Sequence, residues 1–231
     1  FLHAPAGERG RCPMTYLVEN WPEVINLAAE HLRITAFAMA IAVAIGVPLG
    51  ILIARIRPLG PVVLAVASIF YLIPSLALFA VLVPVTGLGP QPAVIGLVLY
   101  SQLAIVRNTA TGLLTVPPSL RETAEGMGMT GLQRLFLVEL PLALPMIIAG
   151  IRVAAVMSIG AATIAAYVGA GGLGTLIFQG MRLLWPEMVL AGAIPASVMA
   201  VAVDFAFVLL ERLAARHQRA TLPLRRRAAA A

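Results

Sequence analysis

An all-α, polytopic membrane protein is the fold class this sequence predicts, on three observations. Of its 231 residues 61% are hydrophobic and only 11% are charged, and the mean hydropathy is +0.98. A soluble domain averages about 45–50% apolar and about 25% charged residues, so a soluble fold of this size could not hide so much apolar surface from water. The apolar residues also gather into five runs, each near the ~20 residues a helix needs to cross a bilayer. Composition therefore excludes a soluble globular enzyme, a disordered chain and a disulfide scaffold.

The first run, from about Ile34 to Ala54, carries Gly46 and Gly50 at the spacing that lets helix backbones approach closely. The second, Val62 to Val85, is interrupted by Pro74. The third, Ala93 to Leu113, contains Gln102; the fourth, Pro141 to Val168, contains Arg152; the fifth, Met188 to Leu210, contains Asp204. On this division residues 34–211 form the transmembrane domain, 14–33 an extracytoplasmic segment and 212–231 a basic tail. Residues 1–13 lack the apolar centre of a signal peptide, and Met14 opens a plausible reading frame, so they read as a tag or an over-extended start. The single cysteine, Cys12, falls there and offers neither a disulfide framework nor a metal site.

Charge sets the orientation. All sixteen basic residues are arginine. Eleven of them, Arg55, Arg57, Arg107, Arg121, Arg134 and six beyond Leu210, lie on one side of the five spans. The positive-inside rule puts that side in the cytoplasm, with the N-terminus outside and the C-terminus inside. Trp21 and Trp185 then fall at the outer interface, where aromatic anchors belong. The net charge of +6 is accounted for by topology and needs no nucleic acid.

The largest internal loop, 117–141, is the most informative stretch. Pro117-Pro118 breaks the chain, and Ser119 to Glu122 has capping-box spacing. A short helix is expected to about Glu125, ended by Gly126 and Gly128. Thr130 to Gln133 repeats the box and starts a second short helix leading into Leu140-Pro141. Two short helices joined at a glycine elbow make a compact knob below the membrane, suited to docking into a groove of another protein.

Glu122-Thr123-Ala124, Gly128, Val138, Leu140 and Pro141 resemble the EAA motif of ABC importer permeases, which reads EAA, three residues, Gly, nine residues, Ile, one residue, Leu-Pro. Every spacing fits, with Thr123 for Ala and Val138 for Ile. The resemblance implies the type I importer fold and a coupling helix that inserts into a separate ATP-binding subunit. Ser119, Leu120, Glu122, Thr123, Ala124, Gly128, Leu140 and Pro141 would form the docking and coupling surface. The runs Ile73 to Phe79, Ile105 to Leu114, Glu122 to Thr130, Val138 to Arg152 and Ala165 to Met181 look like the osmoprotectant branch of that family, whose ligands are glycine betaine, choline and carnitine. The stretch Ser101 to Ala104, with Gln102, departs from that branch, and the methionine branch shares the glycine-rich run and stays open. The family further implies a bacterial inner membrane, an extracytoplasmic substrate-binding protein and a second permease copy, identical or paralogous.

Other motifs resolve against chemistry in this chain. Gly169 to Gly174 satisfies G-x-G-x-x-G, but an apolar span precedes it where a dinucleotide fold needs a strand. These glycines are expected to end the fourth span where the backbones of two subunits approach. No P-loop, G-x-S-x-G or H-E-x-x-H occurs, so no cofactor or metal is expected and ATP hydrolysis falls to a partner. Counted from the inner ends of their spans, Arg152 lies ~16 Å and Asp204 ~10 Å into the membrane, near enough for a structural ion pair. A quaternary ammonium donates no hydrogen bonds and is recognised by aromatic faces. The translocation path would accordingly draw on Tyr71, Pro74, Ser75, Tyr100, Gln102, Ser158 and Tyr167. The competing class is an ATP-independent secondary transporter, which would show inverted repeats and ionisable groups at the midplane.

Overall fold

The computed structural model describes residues 13–221, with side chains for 16–214. Most of the expected N-terminal extension and the end of the basic tail lie outside the described residues. All regular structure within them is helical: α1 (Pro13–Glu19), α2 (Trp21–Arg55), α3 (Leu59–Leu72), α4 (Ser75–Thr86), α5 (Pro90–Leu114), α6 (Pro118–Gly126), α7 (Gly131–Arg134), α8 (Leu140–Ala165), α9 (Gly174–Leu183) and α10 (Pro186–Thr221). A π turn at Leu135–Glu139 joins α7 to α8, and a 3-10 turn at Ala166–Val168 ends α8.

Four helical stretches are long and apolar enough to cross a membrane, and the pair α3 and α4 makes the fifth if counted as one broken span. That pair bends by 96° where Pro74 falls, because proline supplies no helical N–H and pushes the preceding residue out of the α region. Ile73 is extended there, with ψ at 130°. Two helices outrun the sequence expectation. At 35 residues, α2 is ~52 Å long at ~1.5 Å per residue, so most of the segment expected to precede the first span is continuous with it. Nothing between Trp21 and Ile34 stops a helix once Pro22 has started it. The fourth span likewise begins before Pro141, being helical from Gly131. The π turn immediately precedes Pro141, whose ring nitrogen cannot donate.

The middle of the bundle is α5, packed between α2 and α8. Half of its most apolar window is buried, against 6% for α10. Close approach to α2 rests on Gly46 and Gly50: a Cβ on Gly50 would meet the Thr109 Cβ at 2.5 Å. On the other side Gly150 of α8 sits against Asn108. The outer helix α10 leans on α8 and α9 and leaves Val198, Val201 and Phe205 exposed, as apolar side chains in lipid require no protein cover.

At the far end of α8, Gly169, Gly171 and Gly172 all take positive φ and turn the chain back. Gly171 and Gly172 come close to α2 of the same chain, and Gly169 to the turn at Gly89. Gly172 donates its N–H to the Glu30 carboxylate at 2.8 Å, and its open face is filled by His31. His31 is itself buried, its Nε2 lying 3.1 Å from the Ile159 carbonyl.

Candidate functional site

The loop between α5 and α8 folds as two short helices at a glycine elbow. The first, α6, starts two residues earlier than its sequence suggests. Pro118 takes the first helical turn, where a missing N–H costs nothing and φ is preset, and Pro117 is the extended flank (φ −55°, ψ 133°). Ser119 is therefore inside the helix and makes no cap, so the expected Ser119–Glu122 box does not form. Its carbonyl instead accepts from Thr123 Oγ1 at 2.7 Å.

The elbow is a Schellman motif. Gly128 has φ +79°, its N–H donates to the Glu125 carbonyl, and the Met129 N–H donates to the Ala124 carbonyl. The second helix begins with both halves of the expected capping box: Gln133 N–H donates to Thr130 Oγ1 at 3.3 Å, and Thr130 N–H donates to Gln133 Oε1 at 2.8 Å.

Burial sorts the loop into two faces. Ala124 is 1% exposed and seats α6 on its own chain; it is not part of a free surface. Ser119, Glu122, Thr123 and Gly128 are exposed, Leu120 and Leu140 half-buried, and Pro141 exposed. Apolar Met127 and Leu132 stand out at the elbow, Leu132 at 70% exposure. The outer face of the loop thus sets an exposed acid, Glu122, beside uncovered apolar side chains.

Beneath this surface lies a residue that sequence reasoning missed. Glu139 is 3% exposed; Arg55 Nη2 donates a hydrogen bond to it at 2.8 Å, while Arg134 Nε at 3.1 Å and Arg121 Nε at 3.5 Å stand at ion-pair distance without hydrogen-bond geometry. Arg134 also pairs with Glu125, and Arg121 donates to the Leu113 carbonyl at 2.5 Å. A buried carboxylate needs this company, since an unpaired charge in a low-dielectric interior is strongly disfavoured. The available signal was a lone acid between Val138 and Leu140, next to a long apolar run.

Within the membrane the aromatic and polar residues divide into three groups. Tyr71 and Tyr100 form a T-shaped pair, ring centroids 6.5 Å apart. Tyr100 donates its hydroxyl to the Ile73 carbonyl just before Pro74, and Tyr71 donates to Met157 Sδ at 3.9 Å. The structure thus joins Tyr71, Tyr100 and the Pro74 break, with Ser75 opening α4 beside them. Ser158 and Gln102 are buried in the helix core: Ser158 Oγ lies 3.1 Å from Ser101 Oγ, and Gln102 Nε2 donates to the Ala42 and Val98 carbonyls. Tyr167 is 65% exposed, with Phe178 as its ring neighbour.

Between α8 and α10, Arg152 donates from Nε to Asp204 Oδ1 at 2.6 Å and from Nη2 to Asp204 Oδ2 at 3.0 Å, a bidentate fork. Its Nη1 donates to Glu211 at 3.4 Å.

Helices of this length, a broken second span and a two-helix knob before a proline-led fourth span define a polytopic helical membrane protein. Residues 46–216 match the family of binding-protein-dependent transport system inner membrane components, and the chain belongs to that family. It is a polytopic transport subunit of the inner-membrane permease type. Among individual proteins, it is 45% identical over 203 residues to the osmoprotectant import permease protein OsmW of Salmonella typhimurium, covering 86% of this chain and 93% of that one. It is 40% identical over 199 residues to the glycine betaine/carnitine/choline transport system permease protein OpuCB of Bacillus subtilis, covering 86% and 92%. Its fold is similar to the inward-facing MetNI methionine ABC transporter, with a TM-score of 0.77 at 26% identity over 87% of this chain and 98% of that one.

Proposed function

We propose that this chain is the permease subunit of an ATP-driven importer for quaternary-amine osmoprotectants such as glycine betaine, choline and carnitine. The observation that carries the reading is similarity at 40–45% identity across some 86% of the chain to permeases named for those solutes, together with the exposed knob at 117–141. In this reading the knob docks into an ATP-binding subunit in the cytoplasm, with Glu122, Thr123 and the apolar Met127 and Leu132 at the contact. Two permease copies enclose the pathway, and an extracytoplasmic binding protein delivers the solute to the outer face. The N-terminus is outside and the C-terminus inside. Closure of the two ATPases draws the knobs together and switches the spans from inward- to outward-open. The Arg152–Asp204 fork holds α8 and α10 together as a structural pair. Tyr71 and Tyr100, at the Pro74 break, offer aromatic faces to a passing ammonium.

Uptake of labelled solute tests the substrate class. Cells lacking their own osmoprotectant uptake, given this chain with its ATPase and binding protein, are expected to accumulate betaine, choline or carnitine and to gain growth at high osmolarity. The likeness to a methionine transporter makes methionine the comparison arm. Accumulation of methionine alone would contradict the assignment.

A further inference from the structure

We infer that Glu139 is a positioning residue that clamps the knob to the base of the first span, so that movement of the knob is delivered to α2 as well as to α8. The carboxylate is buried and is reached from three separate elements: Arg55 is the last residue of α2, Arg121 lies in α6, and Arg134 ends α7. Through its second nitrogen Arg121 also holds the Leu113 carbonyl at the end of α5. One anion therefore ties the two knob helices to the inner ends of two spans, while its own backbone leads directly into α8. The backbone joins knob and bundle through short connections, Thr115–Pro117 on one side and the π turn on the other, and Leu135 of that turn packs with Leu113 and Ala143. A ligation of this kind turns a loop into a lever.

The two ends of the clamp differ in what their loss does. Without the carboxylate, Arg55 and Arg121 lose their shared anion and Arg134 keeps only Glu125, so three guanidinium groups repel one another with less to balance them, which loosens the knob itself. Without Arg55, Glu139 keeps Arg121 and Arg134, so the knob stays ordered but loses its polar link to α2, leaving only the apolar packing around Leu135. The inference rests on the reading of 117–141 as the ATPase-docking loop, and the test separates the two. Hydrogen exchange is measured on the purified chain in lipid nanodiscs, and uptake per ATP hydrolysed on the complete transporter in proteoliposomes. Glu139→Gln is expected to speed exchange of the amides of 118–134 by about tenfold and to lower uptake per ATP by about tenfold, since a buried pair has lost its anion. Glu139→Asp should retain most of both. Arg55→Gln should leave knob exchange near wild type and still lower uptake per ATP severalfold. Unchanged exchange in Glu139→Gln, or unchanged uptake per ATP in Arg55→Gln, would overturn the clamp. If Glu139→Gln does not insert, the Arg55→Gln comparison decides alone. If wild type shows no ATP-dependent uptake, the docking reading fails, and the exchange measurement still decides whether the knob is clamped.

Discussion

Gly128 illustrates how much of the loop depends on single residues. At φ +79° an L side chain is disfavoured, by roughly 1–2 kcal/mol, although nothing lies within 4 Å of where a Cβ would stand. The cost of replacing it is therefore conformational, not steric. Gly128→Val should leave membrane insertion intact, lower the melting temperature slightly and reduce uptake severalfold by straightening the elbow. Gly131, with equally open space and no positive φ, supplies the control: Gly131→Ala should be silent in melting and uptake assays. At this scale legibility followed how local the interactions are. Thr130 and Gln133 bond each other across three residues, so their box could be read directly. Ser119 had the same spacing and lost to Pro118, whose fixed φ starts the helix two positions earlier than that box would. Glu139 was not legible as a hub, because Arg55 lies 84 residues away and its other arginines had already been accounted for by membrane orientation.

Elements were more legible than their ends. Hydropathy located five spans and Pro74 marked the break in the second, since both signals are carried within a few residues. The extra turns at the start of α2 were missed because no proline or glycine between Pro22 and Ile34 marks a stop, and polarity alone had suggested the boundary; the second knob helix was expected and runs on into α8. The glycine turn after α8 was predicted as a break, but its partners, Glu30 and His31, come from the other end of the chain. The proposed role of Arg152 and Asp204 belongs at this scale. An ionisable group in lipid requires a partner on a neighbouring helix. Arg152→Asp and Asp204→Arg should each lower the amount of folded protein in the membrane severalfold, and the double swap should recover most of it, read by fluorescence-detected size exclusion. Equal loss in all three variants would instead point to a contact with solute or lipid.

Taken whole, the molecule divides its labour unevenly. Most of the chain is spent on apolar helices whose sequence need only suit lipid and close packing, which is why composition revealed the solvent but not the task. In the function proposed, the task falls to about twenty-five residues on the arginine-rich side, where a few polar atoms shape a knob and anchor it. Membership of the family of transport-system inner membrane components agrees with that division. The claim on which the account turns is that this knob transmits ATP hydrolysis to the spans. Its most direct test is Glu122→Arg, which reverses the charge of an exposed knob residue with no packing role. Solute uptake and ATP hydrolysis are measured together in proteoliposomes holding the permease, its ATPase and its binding protein. The account predicts normal insertion, with uptake per ATP reduced by about tenfold or more, a loss of ~1.4 kcal/mol or greater in coupling. Uptake per ATP equal to that of the wild type would contradict it.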